Sequence, residues 1–439
     1  MSDKRATDFP DHSSPRTSDR ILLHRAPWVT RGSIFLSDVS RTPRQAPANS
    51  LILDGGVLVS GERIIAVDRY ENLIKNYPSP SVIDHEECIL TPALVNAHAH
   101  LELSYLSELG EEQENVLTLP GWIRKLLAKK TNSSCSDEEI LAAGRQALDQ
   151  LFKSGTGLVA DMGNRPQSRL IGKGSKVKVL FFLELLGMTA EAEEEALAKL
   201  NRLPQPSAMC TVHAPYSSSP NLIREAKKQA LDKGNIFSIH VAESQEELQF
   251  LRHGTGDFQE LLSERGGWDR SFSPIGLDNK GAINYLDDLG ILDAKTLCVH
   301  VVQVTSSEIA LMAERQAKVC LCPGSNRNLG VGKAPAGEFV AKGILPALGT
   351  DSLASNPTLS IWQEMKIMRE DHPGLKPEVV FSMATEGGAR ALGYTNELGT
   401  LTPGKRASFL AVEAQLKKAE DVFEFLTSVG KSVSLSWIG

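Results

Sequence analysis

Two rhythms of apolar and polar positions run along this chain. Between about residues 91 and 394, eight apolar runs recur, each short enough to be one buried strand: "ECILTPALVNAHAH", "TGLVADMG", "KVKVLFFLELLG", "AMCTVHAPYS", "NIFSIHVAES", "KTLCVHVVQV", "AKVCLCPGSN" and "GILPALGTDS". Amphipathic stretches separate several of them. In "SDEEILAAGRQALDQLFKSG", Ser136 is placed to cap a helix, acidic residues fill the first turn and Gly155 closes it. Near-continuous apolar strands alternating with helices predict a parallel sheet covered on both faces. Eight such units predict an α/β fold of the (β/α)8 TIM-like barrel type.

The two ends of the chain read differently. From about Arg20 to Leu90, short β-rich runs such as "SIFLSDV", "SLILDGG", "VLVSGERIIAV" and "SVIDHEECIL" are punctuated by turn residues. "GTLTPGKRASFLAVEA" and "KSVSLSWIG" repeat the pattern after Tyr394. Residues 21–90 and 395–439 are therefore expected to build one small β-sandwich domain beside a barrel domain of residues 91–394. Residues 1–20 are polar and lack the apolar centre of a secretory signal, which predicts a disordered tail and a cytoplasmic protein. The aperiodic stretch 264–281, "ERGGWDRSFSPIGLDNKG", is a candidate active-site flap or simply a long connection.

At 439 residues the chain exceeds what one core usually organises, which suits a large domain with a smaller companion. A balance of 47 basic against 54 acidic residues, with no basic stripe, argues against nucleic acid as a partner. No apolar run approaches the roughly 20 residues that span a bilayer, which argues against a membrane. Six cysteines in so long a chain do not make a disulfide framework. Cys320 and Cys322, two apart on a strand, read as buried thiols sharing one face.

Candidate chemistry gathers at the C-terminal strand ends, which form the active face of such a barrel. His98 and His100 end the first run, His213 the fourth, His240 the fifth, followed by Glu243, His300 the sixth and Asp351 the eighth. Residues two apart on a strand point the same way, so His98 and His100 can converge on one ion. A third imidazole and a carboxylate, His240 and Asp351, would complete an N/O site with room for water. Any one strand-end histidine could be a core residue; five of them with an aspartate at one end point to a metal. Glu102 shares the face of His98 and His100 and either contacts substrate or forms an ion pair. Tyr216 and Trp122 either line a pocket or pack locally. Ser325 and Asn326 either touch substrate or shape the loop after the seventh strand.

The ordered pieces "NAHAHLELS", "VHAPYSSS", "HVAES", "CVHVV", "CPGSNRNLG" and "LGTDS" resemble the amidohydrolase superfamily, and more closely its aminohydrolase (deaminase) branch. The resemblance covers residues 33–412. It implies one divalent metal per chain, Zn²⁺ ahead of Fe²⁺, held by His98, His100, His240 and Asp351. It gives His300 to the metal-bound water, Glu243 to proton transfer and His213 to substrate contact. A divalent metal lowers the pKa of bound water from about 16 to about 7. Asp351 is expected to hold the metal with one oxygen and accept the water's proton with the other. Cyclic-amide hydrolases of the superfamily use a carboxylated lysine after the fourth strand; here "MCTVHAPY" has none, which favours one metal and deamination.

The substrate implied is a small aminated heterocycle, a purine nucleoside derivative. "VNAHAHLELS" is most similar to aminodeoxyfutalosine deaminases of menaquinone biosynthesis. A homodimer is also a family expectation. The alternatives are deamination of guanine, cytosine or S-adenosylhomocysteine, chloride release from a triazine, hydrolysis of an amide, and a silent scaffold.

Overall fold

A computed structural model describes residues 21–33, 50–112, 118–202, 209–268 and 281–439. The polar tail, most of "SIFLSDV" and residues 269–280 of the candidate flap lie outside the described residues.

Both ends of the chain meet in one sheet of seven strands. Its order is β15 (Leu435–Ile438), β14 (Phe409–Glu413), β5 (Cys88–Pro92), β1 (Ile21–Thr30), β2 (Leu51–Ser60) and β3 (Arg63–Arg69), with β4 (Ser81–Asp84) also paired to β1. The sequence led us to expect a sandwich; the described strands are linked into one mixed sheet, and residues of its own segments, among them Val29, Val57, Ile64 and Ile438, enclose a core on one face. Its other face packs on the rest of the protein, as β14 shows. Phe409 and Ala411 point into a core with Val29 and Leu90. Leu410 and Val412 point the other way, into the main core of the chain. Two-residue alternation thus buries both faces of this strand and fastens the end sheet to the middle.

The middle supplies two parallel four-stranded sheets. One runs β6 (Leu94–Ala99), β7 (Thr156–Gly163), β8 (Lys178–Leu185), β9 (Met209–Val212); the other runs β10 (Phe237–Val241), β11 (Thr296–His300), β12 (Lys318–Leu321), β13 (Ala347–Leu348). Each predicted run contributes its strand in order, and the first is divided near Pro92 between the end sheet and β6. Backbone bonds span the two seams. His240 N donates to His213 O at 2.9 Å, and Thr350 N and Asp351 N donate to His98 O at 3.0 and 3.1 Å.

Five helices frame the site: α1 (Leu119–Asn132), α2 (Asp137–Lys153), α3 (Gln245–His253), α4 (Asp257–Glu264) and α5 (Pro323–Leu329). The expected cap of α2 forms as a reciprocal box, with Glu139 N donating to Ser136 Oγ and Ser136 N to Glu139 Oε2. Trp122, Ile123, Leu126, Leu127 and Lys130 fall on one face of α1, by the helical repeat. Arg124 forks onto Glu264 with contacts of 2.9 and 3.1 Å, holding α1 beside α4. All six cysteines are free, and Cys320 and Cys322 are buried in one cluster. Among the described residues no helix is long and apolar enough to cross a membrane.

Candidate active site

Strand β6 carries His98 near its end, and His100 follows its last residue, Ala99; the two rings turn to the same side. Their Nε2 atoms are 3.1 Å apart, and the Nε2 of His240, at the end of β10, is 3.0 Å from the first and 3.3 Å from the second. Asp351 Oδ1 lies 3.7 Å from His98 Nε2 and 3.5 Å from His100 Nε2. The four side chains are buried. His240 Nδ1 contacts the carbonyl oxygen of His213 at 2.8 Å, so it carries the ring proton and Nε2 keeps its lone pair. Burial, then the neighbouring His98, pushes the pKa of His100 down to about 3, leaving it neutral as well. Imidazole lone pairs packed this closely beside a carboxylate repel each other in the absence of a cation. The donor set therefore fits one divalent metal.

The approach of β13 to β6 makes this possible. A Cβ on Gly349 would lie 2.8 Å from His98 Cβ and from Cys320 Sγ, and 3.0 Å from His98 O. Only a glycine lets the strand leading to Asp351 pass so close to His98. Four non-glycine residues at these strand ends are left-handed: Ala242 (φ 54°), His300 (70°), Val301 (42°) and Asp351 (59°). Such conformations are costly and persist where the surroundings impose them, here beside the clustered side chains.

Beyond the cluster, His300 Nδ1 contacts Asn326 Oδ1 at 2.8 Å. An amide oxygen only accepts, so the proton sits on Nδ1 and Nε2 offers a lone pair. That buried Nε2 has no hydrogen-bond partner among the described residues and stands 3.7 Å from Glu243 Oε1. Burial pushes the Glu243 carboxyl up to about 7; His300 opposes the shift and Asp351 adds to it. For Asp351, burial would raise the carboxyl, but the contact with His98 and the other histidines around it outweigh burial and hold it well below the usual value.

These groups open onto a cavity of about 430 Å³, within the range of small-molecule sites. One wall is polar, with His100, His213, His240, Glu243, His300 and Asp351; the other is apolar, built by α1 and α4.

A model of the amidohydrolase family matches residues 89–432, most of the chain. The chain belongs to the amidohydrolase family. Among curated relatives of this amidohydrolase, the aminodeoxyfutalosine deaminase of Deinococcus radiodurans is 30% identical over 363 residues, 77% of this chain and 81% of that one. The 5-methylthioadenosine/S-adenosylhomocysteine deaminase of Moorella thermoacetica is 27% identical over 87% of this chain and 86% of its own. Among solved structures, Helicobacter pylori aminofutalosine deaminase in complex with methylthio-coformycin superimposes with a TM-score of 0.77 at 24% identity, covering 95% of this chain and 97% of that one. That likeness is one of fold.

Several of the softer sequence candidates are placed differently from what the strand pattern suggested. Glu102 does not line the cavity. Its oxygens accept from Asn164 N (3.2 Å), Arg165 N (3.3 Å) and Ser168 Oγ (2.5 Å), so it ties down the turn after β7. Ser325 and Asn326 also stand behind the cavity wall. Ser325 Oγ donates to Asp351 Oδ2 at 2.7 Å, as does Ser355 Oγ at 2.7 Å, while Asn326 sets the tautomer of His300. Asp351 Oδ2, expected to take the water's proton, is thus occupied by two hydroxyls, and only Oδ1 faces the histidines. His213, Tyr216 and Trp122 do line the cavity. The ring of Tyr216 meets His213 edge-on at 5.5 Å.

Two carboxylates of the site were missed. Glu247, on α3, accepts from Ala242 N at 2.9 Å and Glu243 N at 2.7 Å and so clasps the loop that carries Glu243. Ser244 three residues before it was the available signal, since that spacing marks a helix start. Glu184 lies at the end of β8 on the cavity wall. A lone acid near the end of the apolar run "KVLFFLELLG" could have flagged it.

Proposed function

We propose that this amidohydrolase is a mononuclear, metal-dependent deaminase that releases ammonia from a purine nucleoside derivative, with aminodeoxyfutalosine as first candidate. The observation that carries the reading is the pair Glu243 and His300, 3.7 Å apart, opening on the same cavity as His100, His240 and Asp351 of the four-residue cluster. The Deinococcus relative, by its activity, supports the candidate substrate. We take the two parallel sheets as halves of one (β/α)8 barrel of residues 91–394, and residues 21–90 with 395–439 as the companion domain.

Hydrolytic deamination exchanges an exocyclic C–NH₂ for C=O. Water adds to the carbon, a ring nitrogen gains a proton, and ammonia leaves. His98, His100, His240 and Asp351 would hold one divalent cation, zinc ahead of iron. When bound, it supplies the Lewis acidity that makes a water nucleophilic near neutral pH. Glu243, protonated up to about pH 7, hands its proton to the ring nitrogen as water attacks. As a carboxylate it then takes both protons of the added oxygen in turn, passing one to the departing amine and keeping the other, which restores its starting form. His300 Nε2 accepts a hydrogen bond from the attacking water and aims it at the ring. Asn326 and Glu247 hold these two groups in place. Trp122 and Tyr216 supply flat apolar surface for the heterocycle.

The test is ammonia release by metal-quantified protein against aminodeoxyfutalosine, 5′-methylthioadenosine, S-adenosylhomocysteine, adenosine, guanine, cytosine, a chlorotriazine and several cyclic amides. Turnover of an aminated nucleoside that is abolished by chelation supports the reading. Ring opening of a cyclic amide, or silence on every amine by fully loaded protein, overturns it.

A further inference from the structure

Glu184 is a polar group in the cavity that this chemistry leaves without work. It lies at the C-terminal end of β8 and is buried, at 3% exposure. Oε2 accepts from Asn164 Nδ2 at 2.9 Å. Oε1 is buried and has no hydrogen-bond partner among the described residues. A buried carboxyl oxygen without a partner is costly, which calls for a group that completes it.

A second metal ion is one way to complete it, since Glu184, His213 and His240 bring ligand atoms within 4.8 Å of one another. The hydrogen bonding of His240 excludes that answer. Its Nδ1 is 3.7 Å from Glu184 Oε1 but already contacts the carbonyl oxygen of His213 at 2.8 Å, so it bears the proton. Its one lone pair, on Nε2, points to the other cluster.

What remains is the ligand in the cavity. In strand order Glu184 on β8 is separated from Glu243 and His300, at the ends of β10 and β11, by β9 and His213. A ligand whose ring meets Glu243 and His300 and which extends past His213 brings a second portion to Glu184. Lys130, the last of the α1 stripe, lines the cavity too, and its charge acts on Glu184. A carboxyl oxygen paired with an ammonium suits a group that both donates and accepts hydrogen bonds, as a diol does.

We propose that Glu184, with Lys130 beside it, is the subsite for the sugar hydroxyls of a ribonucleoside, and that it separates nucleosides from free bases. The proposal rests on the deaminase reading above. Glu184 Oε1 takes a hydroxyl hydrogen, and the Lys130 ammonium donates to a hydroxyl oxygen. A site built to bond a hydroxyl discriminates strongly against the analogue lacking it.

The experiment measures kcat/KM for aminodeoxyfutalosine and 5′-methylthioadenosine, each with its 2′-deoxy and 3′-deoxy analogues, and for adenine. Wild-type protein is compared with Glu184→Ala and the shape-preserving Glu184→Gln, all with metal content measured. Leaving the buried Glu184 carboxyl oxygen unpaired predicts that wild type prefers the ribonucleoside over one deoxy analogue by about 10- to 100-fold. In Glu184→Ala that preference collapses towards unity, because the ribonucleoside loses rate and the deoxy analogue does not. Glu184→Gln retains an acceptor and falls between the two. A preference that survives in both metal-loaded variants overturns the subsite while leaving the deaminase reading intact. Should Glu184→Ala lose metal, Glu184→Gln decides alone. Wild type that deaminates none of these compounds overturns both.

Discussion

His300 Nε2 and Glu243 Oε1 stand 3.7 Å apart, too far for a hydrogen bond and close enough for a water or a substrate atom to bridge them. Each is held from behind by a group that never reaches the cavity surface, Asn326 for His300 and Glu247 for the Glu243 loop. The geometry of this pair is therefore set by the four residues together.

Replacing Glu243 with Gln removes the proton donor while conserving shape. General acid–base catalysis contributes about 10²- to 10⁴-fold, so kcat should fall by that order with metal retained. Burial raises the Glu243 pKa to about 7 in the free enzyme, and the required form is the protonated one. Wild-type kcat/KM should accordingly decline as pH rises through about 7, and the residual activity of Glu243→Gln should lack that limb. A pH–rate series on both proteins measures it.

Asn326 acts through His300. Asn326→Leu frees the imidazole to rotate or to place its proton on Nε2, where it can no longer accept from water. Loss of such supporting partners typically costs about 10- to 100-fold, which we expect in kcat with KM little changed. Steady-state kinetics with metal analysis checks this; an unaltered kcat would remove Asn326 from the mechanism.

Gly349→Ala should impair the metal site without touching a ligand. Its Cβ would press on His98 Cβ and Cys320 Sγ at 2.8 Å and on backbone at 3.0 Å. Overpacking of this kind costs about 1–3 kcal/mol. Metal titration and denaturant unfolding should show weaker metal binding together with lower stability.

Stability should respond to pH through Glu364, which burial pushes up to about 8 against the hydrogen bonds from Gly324 N and Asn356 Nδ2. Its folded value lies above its usual 4.5, so its contribution is complete below about pH 4.5 and is lost as pH rises towards 8. Glu364→Gln should flatten part of the decline in apoprotein stability between those limits. Parallel unfolding curves for the two proteins across that range would contradict this.

The alternation of apolar strands and amphipathic helices, the eight strand ends and the convergence of His98 with His100 were legible in the sequence. They depend on local repeats, since side chains two apart on a strand share a face whatever surrounds them. The ordered motifs likewise identified the family, because their residues are the chemistry. What a buried carboxylate or hydroxyl does was not legible. Alternation put Glu102 on the face of His98 and His100, yet the strand ends at Ala99, Glu102 falls in a short 3-10 helix, and its oxygens are claimed by a turn 62 to 66 residues away. Ser325, read as a contact to substrate or a shaper of its loop, instead bonds Asp351, 26 residues on. Glu184 sits in an ordinary strand pattern and gains meaning only because no hydrogen-bond partner among the described residues meets its Oε1. A polar side chain's role is set by the donors and acceptors that folding brings to it, and those come from distant segments that no local pattern encodes.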